Sequence, residues 1–424
     1  MSKRFPGPIR TSLIPDGPGA CCGIPERVAV AIFLATYFVL GVGRIPGLRI
    51  DRTGAAIIGA SLMIASNILT LDEAYRAINM DTIILLFGMM IVVANLRLSG
   101  FFAVVSEWTV EHTHSPVALL AAVVLVAGVF SAFFVNDTMC LVLTPLVIEI
   151  TKSLRRNPVP YLLAVAMASN IGSVATITGN PQNMLIGSFS GIAYRDFAAA
   201  LSPIAAVGLV LTAVILYLRY PSEFRHFEER APAHHAVRVN RPLLIKSVLV
   251  AAGMIVFFFL GWQVPKVAIV AGALLLITRR VKPEKVYAHV DWGLLVMFAG
   301  LFIVVAGFEK SSVERDLERF AAGVHLENPF ILSAFSAVLS NIVSNVPAVL
   351  MMKPFITHLA DPGRGWITLA MSSTFAGNLT LVGSVANLIV VQRAKGEVEI
   401  GFWEYTKTGA ILTVITILIG AIRW

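Results

Sequence analysis

The sequence predicts an all-α polytopic membrane protein built from two inverted repeats, each with five transmembrane helices (one of them broken) and one re-entrant hairpin. Three observations predict it. Of 424 residues, 57% are hydrophobic and 14% charged, with a mean hydropathy of +0.80; soluble domains carry roughly 25% charged residues. Apolar runs of about 17 to 25 residues, enough to cross a bilayer, recur along the whole length. The second half also repeats the first in residues, not merely in hydropathy.

Residues 1–24, rich in Pro and Gly, are predicted to be a disordered tail rather than a signal peptide, because no apolar stretch follows the start. The first repeat, 25–220, has spans near 28–43, 53–69, 81–97, 160–188 and 200–219, with a long apolar piece of polar centre at 116–151. The polar interval 221–242, "PSEFRHFEERAPAHHAVRVNRP", reads as a linker. The second repeat, 243–424, has spans near 243–260, 264–278, 291–307, 366–391 and 408–422, with its polar-centred piece at 329–359.

Three gapless alignments, in the same order in both halves, define the repeat. "YRAINMDTIILLFGMMIVVA" (75–94) runs against "YAHVDWGLLVMFAGLFIVVA" (287–306). "SAFFVNDTMCLVLTPL" (131–146) lies against "SNIVSNVPAVLMMKPF" (340–355), pairing Asn136 with Asn345. "ATITGNPQNMLI" (175–186) lies against "LTLVGSVANLIV" (379–390), pairing Thr176 with Thr380, Gly179 with Gly383 and Asn183 with Asn387. If each polar-centred piece dips in and returns, each copy crosses an odd number of times and the second is inverted. Inverted repeats with interrupted helices mark secondary transporters.

The net charge of +8 follows the positive-inside bias rather than a nucleic-acid surface. Loops 44–52, 152–159, 219–246, 279–290 and 392–407 hold most of the Lys and Arg and are predicted to share the cytoplasmic face. Cys21, Cys22 and Cys140 give neither a disulfide framework nor a metal-ligand spacing. No phosphate-binding loop, HExxH or nucleophile elbow is present, so no enzyme activity, cofactor or metal site is predicted.

"TGNPQN" holds Gly179 and Pro181, so the helix is predicted to break there, and its mate "VGSVAN" at Gly383. Irregular backbone at membrane depth is tolerated only inside protein or beside a water-filled cavity. Broken ends expose carbonyls that hold cations and helix N-termini that attract anions. Taken singly, the small polar residues here serve helix packing; as repeat-related pairs they point to one shared midplane site. Asn180, Asn183, Asn378, Thr380 and Asn387 are candidate substrate ligands, and Thr176, Thr178, Gly179, Gly383 and Ser384 candidate ligands of a coupling ion. At the hairpin tips Asn136, Asp137, Thr138, Ser344 and Asn345 are further substrate candidates, and Asn136, Thr138, Ser344 and Asn345 are candidate helix caps. Asp137 lies deep in an apolar segment, with no basic residue near it in sequence, and its mate is Val346. An intramembrane carboxyl is costly and points to function; Asp137 can carry a proton or hold Na⁺, so H⁺ or Na⁺ is the expected coupling ion.

At these residues the chain resembles the ion transporter superfamily of arsenite permeases, sodium/proton antiporters, and citrate and divalent-anion/sodium symporters. "FFVNDTMCLVLTPLV", "NIGSVATITGNPQN", "SNIVSNVPAVL" and "GNLTLVGSVANLIV" carry the resemblance over residues 25–424, and "GNPQN" looks most like a little-characterised bacterial anion-permease branch. The resemblance implies a homodimer in the bacterial inner membrane, with substrate held between hairpin tips and breaks by alternating access. It departs from the sodium-coupled dicarboxylate carriers, which have Ser-Asn-Thr in both hairpins, where this chain reads Val135-Asn136-Asp137 and Ser344-Asn345-Val346. The expected activity is secondary transport of a small anion or oxyanion. The rival readings are a cation/proton antiporter on the same scaffold and a membrane subunit for arsenite efflux.

Overall fold

A computed structural model describes residues 24–42, 50–113, 115–225, 239–311 and 323–423. Residues 1–23 of the predicted tail and 226–238 of the predicted linker lie outside the described residues. Every regular element described is helical.

The chain opens with α1 (Ile24–Val42), α2 (Arg52–Ala65), the short α3 (Leu71–Ala77) and α4 (Met80–Ser99). After α5 (Phe101–His112), α6 (Pro116–Phe133) and α7 (Asn136–Ser153) form the first polar-centred pair. The first broken helix is α8 (Pro158–Ser173), a 3₁₀ turn (Ile177–Gly179) and α9 (Pro181–Ser190), followed by α10 (Tyr194–Arg219) and α11 (Pro221–Arg225). The same succession returns as α12 (Arg241–Phe259), α13 (Val264–Leu276), α14 (Pro283–Tyr287) and α15 (Trp292–Glu309). It continues with the pair α16 (Pro329–Val343) and α17 (Asn345–Thr357). The second broken helix is α18 (Pro362–Ala376), a 3₁₀ turn (Leu381–Gly383) and α19 (Val385–Ala394), and α20 (Phe402–Arg423) closes the chain. Among the described residues six helices, α4, α6, α10, α12, α15 and α20, are long and apolar enough to cross a bilayer.

Local chemistry sets the starts. Ser115, Asn157, Asn328 and Asp361 each stand before a proline, and each accepts from a backbone N–H of the helix it opens. Proline suits the first helical position because its missing N–H would have had no partner there. Asn79 and Asp291, equivalent in the repeat, cap α4 and α15 through the N–H of Thr82 and Leu294, each at 2.9 Å.

The halves pack by exchange. The main partner of α2 is α15, and that of α4 is α13. A Cβ on Gly88 would stand 2.6 Å from the Ala268 carbonyl carbon, and one on Gly300 would stand 2.8 Å from that of Ala56. The two glycines align in the repeat, as do the two alanines, so one close backbone approach is built twice.

The connections gather at two ends of the bundle. At one end Lys152 pairs with Glu397, Tyr220 donates to Glu404 (3.0 Å), Asn240 N–H reaches the Ser99 carbonyl (3.1 Å) and Thr53 the Gly293 carbonyl (3.2 Å). At the other ends of α4 and α15, Asn79 donates to Ser188 (2.8 Å), and Lys310 bonds Glu73 (2.5 Å) and Lys353 bonds Glu309 (2.9 Å). Both outer ends of α6–α7 lie at the first end. Tyr161 hydroxyl touches the Pro116 carbonyl (3.4 Å) and Glu223 (3.2 Å), and Lys152 closes α7. Both outer ends of α16–α17 line one small cavity at the second end, through Pro329 and Leu359.

Candidate functional site

The two helix breaks are held open by the same device. Asn183 donates its side-chain Nδ2 to the carbonyls of Ser173 (3.1 Å) and Thr176 (3.0 Å), and Asn387 donates to Gly377 (2.7 Å) and Thr380 (3.2 Å). These are equivalent positions. Each asparagine satisfies carbonyls that the end of the preceding helix would otherwise bury without a partner. Asn180 then caps α9 through the Asn183 N–H (2.8 Å), and Ser384 caps α19 through the Ala386 N–H (3.3 Å). Gly179 is obligatory, because any Cβ there would run into the Ser173 carbonyl.

Each break also reaches into the other half. Asn180 Nδ2 donates to Thr374 Oγ1 (3.3 Å), while Ser384 Oγ donates to Asn170 Oδ1 (3.2 Å). Continuing the alignment of the breaks back by one turn pairs Asn170 with Thr374, so the two contacts are counterparts. Thr176 donates to the Ala132 carbonyl on α6, and Thr380 to Asn341 on α16 (3.3 Å), again at equivalent places.

Asn170 is the hub. Its Oδ1 accepts from Asn136 (3.0 Å) and Ser384, and its Nδ2 donates to Asn378 (2.9 Å) and Asn387 (2.9 Å). One fully buried side chain thus ties the first hairpin tip to the second break. It is not among the sequence candidates, because it stands inside the apolar run of α8 before the break, and its partners lie more than thirty positions away in the chain. Asn378 is completed by the Met167 carbonyl (3.2 Å) and the Tyr405 hydroxyl (3.4 Å). Thr178 joins Thr176 (3.3 Å) to the Tyr194 hydroxyl (2.9 Å).

The hairpin tips differ from the capping expectation. The residues before α7 and α17 are Val135 and Ser344, neither makes a side-chain cap, and Ser344 sits at φ +79°, a left-handed position unusual for serine. Asn345 Oδ1 accepts from Ser340 instead (2.5 Å). In the first copy the equivalent atoms, Asn136 Oδ1 and Ser131 Oγ, are both buried without a hydrogen-bond partner among the described residues, as is Asn183 Oδ1. Asp137, Thr138 and Ser344 make no side-chain hydrogen bond among the described residues and are half-buried. Asp137 is not electrostatically isolated: the Arg52 guanidinium at the start of α2 and the Asp291 carboxylate at the start of α15 both act on it. Sequence distance hid both.

The comparisons with known proteins agree with this architecture. A family model described as CitMHS, citrate transporter, matches residues 35–376. An uncharacterized transporter of Mycobacterium tuberculosis is 31% identical over 421 residues, covering 93% of this chain and 97% of that protein. The silicon efflux transporter LSI3 of Oryza sativa subsp. japonica is 29% identical over 475 residues, covering 95% and 98%. Among solved structures, the Alcanivorax borkumensis YdaH transporter superposes with a TM-score of 0.62 at 14% identity, covering 94% of this chain and 97% of that one. Neisseria gonorrhoeae MtrF, described with a class of antimetabolite efflux pumps, gives 0.58 at 13% identity, covering 94% of each. At those identities the likeness is one of fold.

Proposed function

The chain belongs to the citrate transporter family, and from that premise we propose that it is a secondary active transporter moving a small anion or oxyanion by alternating access, coupled to H⁺ or Na⁺. That it is an integral membrane transporter follows from the family and from six apolar spans. The anion, the coupling and the mechanism are the proposal, as are a homodimeric state and the bacterial inner membrane.

One observation carries it: Asn170, in the helix that leads into the first break, joins the first hairpin tip to the second break, yet among the described residues Asn136 Oδ1 and Asn183 Oδ1 have no hydrogen-bond partner. A buried polar atom without a partner costs about 1 to 3 kcal/mol, a penalty that a bound ion or its water would remove. Asn180, Asn378, Asn387 and Thr380 are largely occupied in holding the breaks, so they position the site. Asn136, Asp137, Thr138, Asn183, Ser344 and Asn345 retain atoms for substrate. The gathering of connections at two ends, with the outer ends of α6–α7 at one and those of α16–α17 at the other, supports two inverted copies with re-entrant hairpins.

At the hairpin tip the Arg52 guanidinium is countered by the Asp291 carboxylate, so the ion dependence of transport, rather than the local charge, separates an anion carrier from a cation/proton antiporter. The test is current from purified protein in proteoliposomes, with jumps of single anions at fixed Na⁺ and pH, then Na⁺ or Li⁺ alone. A current on one anion that changes when the Na⁺ or proton gradient is removed is the expected result. Proton movement on Na⁺ or Li⁺ alone would replace this function with cation/proton antiport. Asp137→Asn should fold normally and lose the pH dependence of transport; wild-type pH dependence in that variant would remove Asp137 from the coupling step.

A further inference from the structure

α12 and α13 pack on α4 with one face, burying Ala268 and Ala271, and leave the other face open. Between them runs a groove of about 740 Å³, lined by Gly253, Phe257, Trp262, Lys266, Val270 and Leu274 among others. Trp262 is 59% exposed, Val270 52% and Leu274 48%. Gly253 forms part of the floor, since a Cβ there would meet nothing within 4 Å. The groove is long, apolar and uncovered by any described residue, which suits a hydrocarbon chain.

Its mouth has a different chemistry. The turn from α12 to α13 lies at residues 260–263, with Gly261 at φ +84° and the Trp262 ring edge-on to Phe257 at 5.0 Å. Tryptophan at the end of a span marks headgroup depth. Lys266, one turn into α13, is exposed and has no ion pair or hydrogen bond among the described residues. Gln263 gives the first turn of α13 no side-chain cap, so the first-turn backbone N–H groups, those of Val264 and Lys266, carry the partial positive charge of a helix start. Uncompensated positive charge thus sits where the apolar groove meets the headgroup layer.

We infer that this groove binds a membrane phospholipid, one acyl chain lying between α12 and α13 and the phosphate held by Lys266 and the α13 N-terminus. The groove and the cation together select an amphiphile with an anionic head, and bulk inorganic phosphate lacks the chain that the groove would bury.

The full chain, purified in mild detergent and stripped of lipid, is titrated with dioleoyl phosphatidylglycerol while native mass spectrometry counts bound lipid and thermal unfolding is followed. Wild type should retain one lipid in preference to the rest and unfold at a higher temperature. Lys266→Ala should bind it about fivefold more weakly, the usual contribution of one basic side chain near a charged headgroup. Gly253→Leu, which fills the groove from the lipid side, should lose the site with the fold intact. Dioleoylglycerol, which gives up both phosphate contacts, should bind more weakly than phosphatidylglycerol does to Lys266→Ala, and inorganic phosphate should do nothing. Equal affinity of wild type and Lys266→Ala, or of the phosphate-free lipid, overturns the assignment. So does lipid-free protein whose Val270→Cys variant, with Cys21 and Cys22 replaced by serine, cross-links between copies, because a second molecule would then cover the groove.

Discussion

The side chain that decides most at the centre of this molecule is one that its repeat partner does not copy. Asn170 makes four hydrogen bonds, two in each direction, to groups from three other segments. Its amide orientation is therefore fixed, and no apolar residue of like size can replace it. Asn170→Ala strands the Asn136 amide and the Asn387 oxygen in a dry interior, and should lower unfolding stability by about 3 kcal/mol or more. Thr374→Ala, which deprives Asn180 and Gln182 of one shared acceptor, should cost only about 1 to 2 kcal/mol because Asn180 keeps its Ser173 bond. Denaturant unfolding of both variants in one detergent ranks them, and an equal loss would remove Asn170 from the hub. The asparagines that mirror each other, Asn183 and Asn387, were legible in the sequence because both copies keep them at one offset from a glycine. Asn170 was not, because its contacts are made across the halves and no local pattern records a partner two hundred positions away.

Among the elements, the breaks and long spans were readable because glycine and proline interrupt apolar runs, and Asn-Pro or Asp-Pro starts them. The short helices α3, α5, α11 and α14 were not, since brief surface helices carry too few apolar positions to set a period. Two elements allow direct tests. Gly88→Ala and Gly300→Ala push a methyl group against the facing helix backbone, and overpacking of that kind costs about 1 to 3 kcal/mol. The two losses should match in thermal unfolding, because both contacts are the same approach built twice; a much milder Gly300→Ala would show that the halves are not equivalent there. α3 is tied down differently. Lys310 donates to Glu73, helped by Thr70, and this holds the Glu73 carboxyl down from 4.5 to about 2. A carboxyl depressed on folding stabilises above its unfolded value and loses that contribution as pH falls toward the folded one. The stability gap between wild type and Glu73→Gln, small for so exposed a pair, should be present at neutral pH and close on acidification toward pH 2. High salt should narrow it too.

At the scale of the whole molecule, the open matter is the direction of the second copy, and the repeat alignment turns it into a measurement. Asn67 and Arg279 hold equivalent places after α2 and α13, and both are exposed. Arg195 and Glu399 hold equivalent places after the two broken helices, and both are exposed as well. Parallel copies would present each pair on one face of the membrane; inverted copies would split each pair. The contacts favour splitting: Lys310 at the end of α15 reaches the Ile68 carbonyl beside Asn67, whereas Lys246 at the start of α12 reaches the Ile277 carbonyl beside Arg279. The excess of Lys and Arg in loops 152–159, 279–290 and 392–407 then makes the Arg279 and Glu399 face cytoplasmic. One cysteine placed at each of these four positions in turn, with Cys21 and Cys22 replaced by serine and the buried Cys140 kept, should divide cleanly. In intact cells an impermeant maleimide should label Asn67→Cys and Arg195→Cys, and should reach Arg279→Cys and Glu399→Cys only after the membrane is opened. Labelling of both members of either pair from outside would make the copies parallel. The single midplane site would then lose its physical basis, because two copies facing the same way cannot bring their breaks and hairpin tips together from opposite sides.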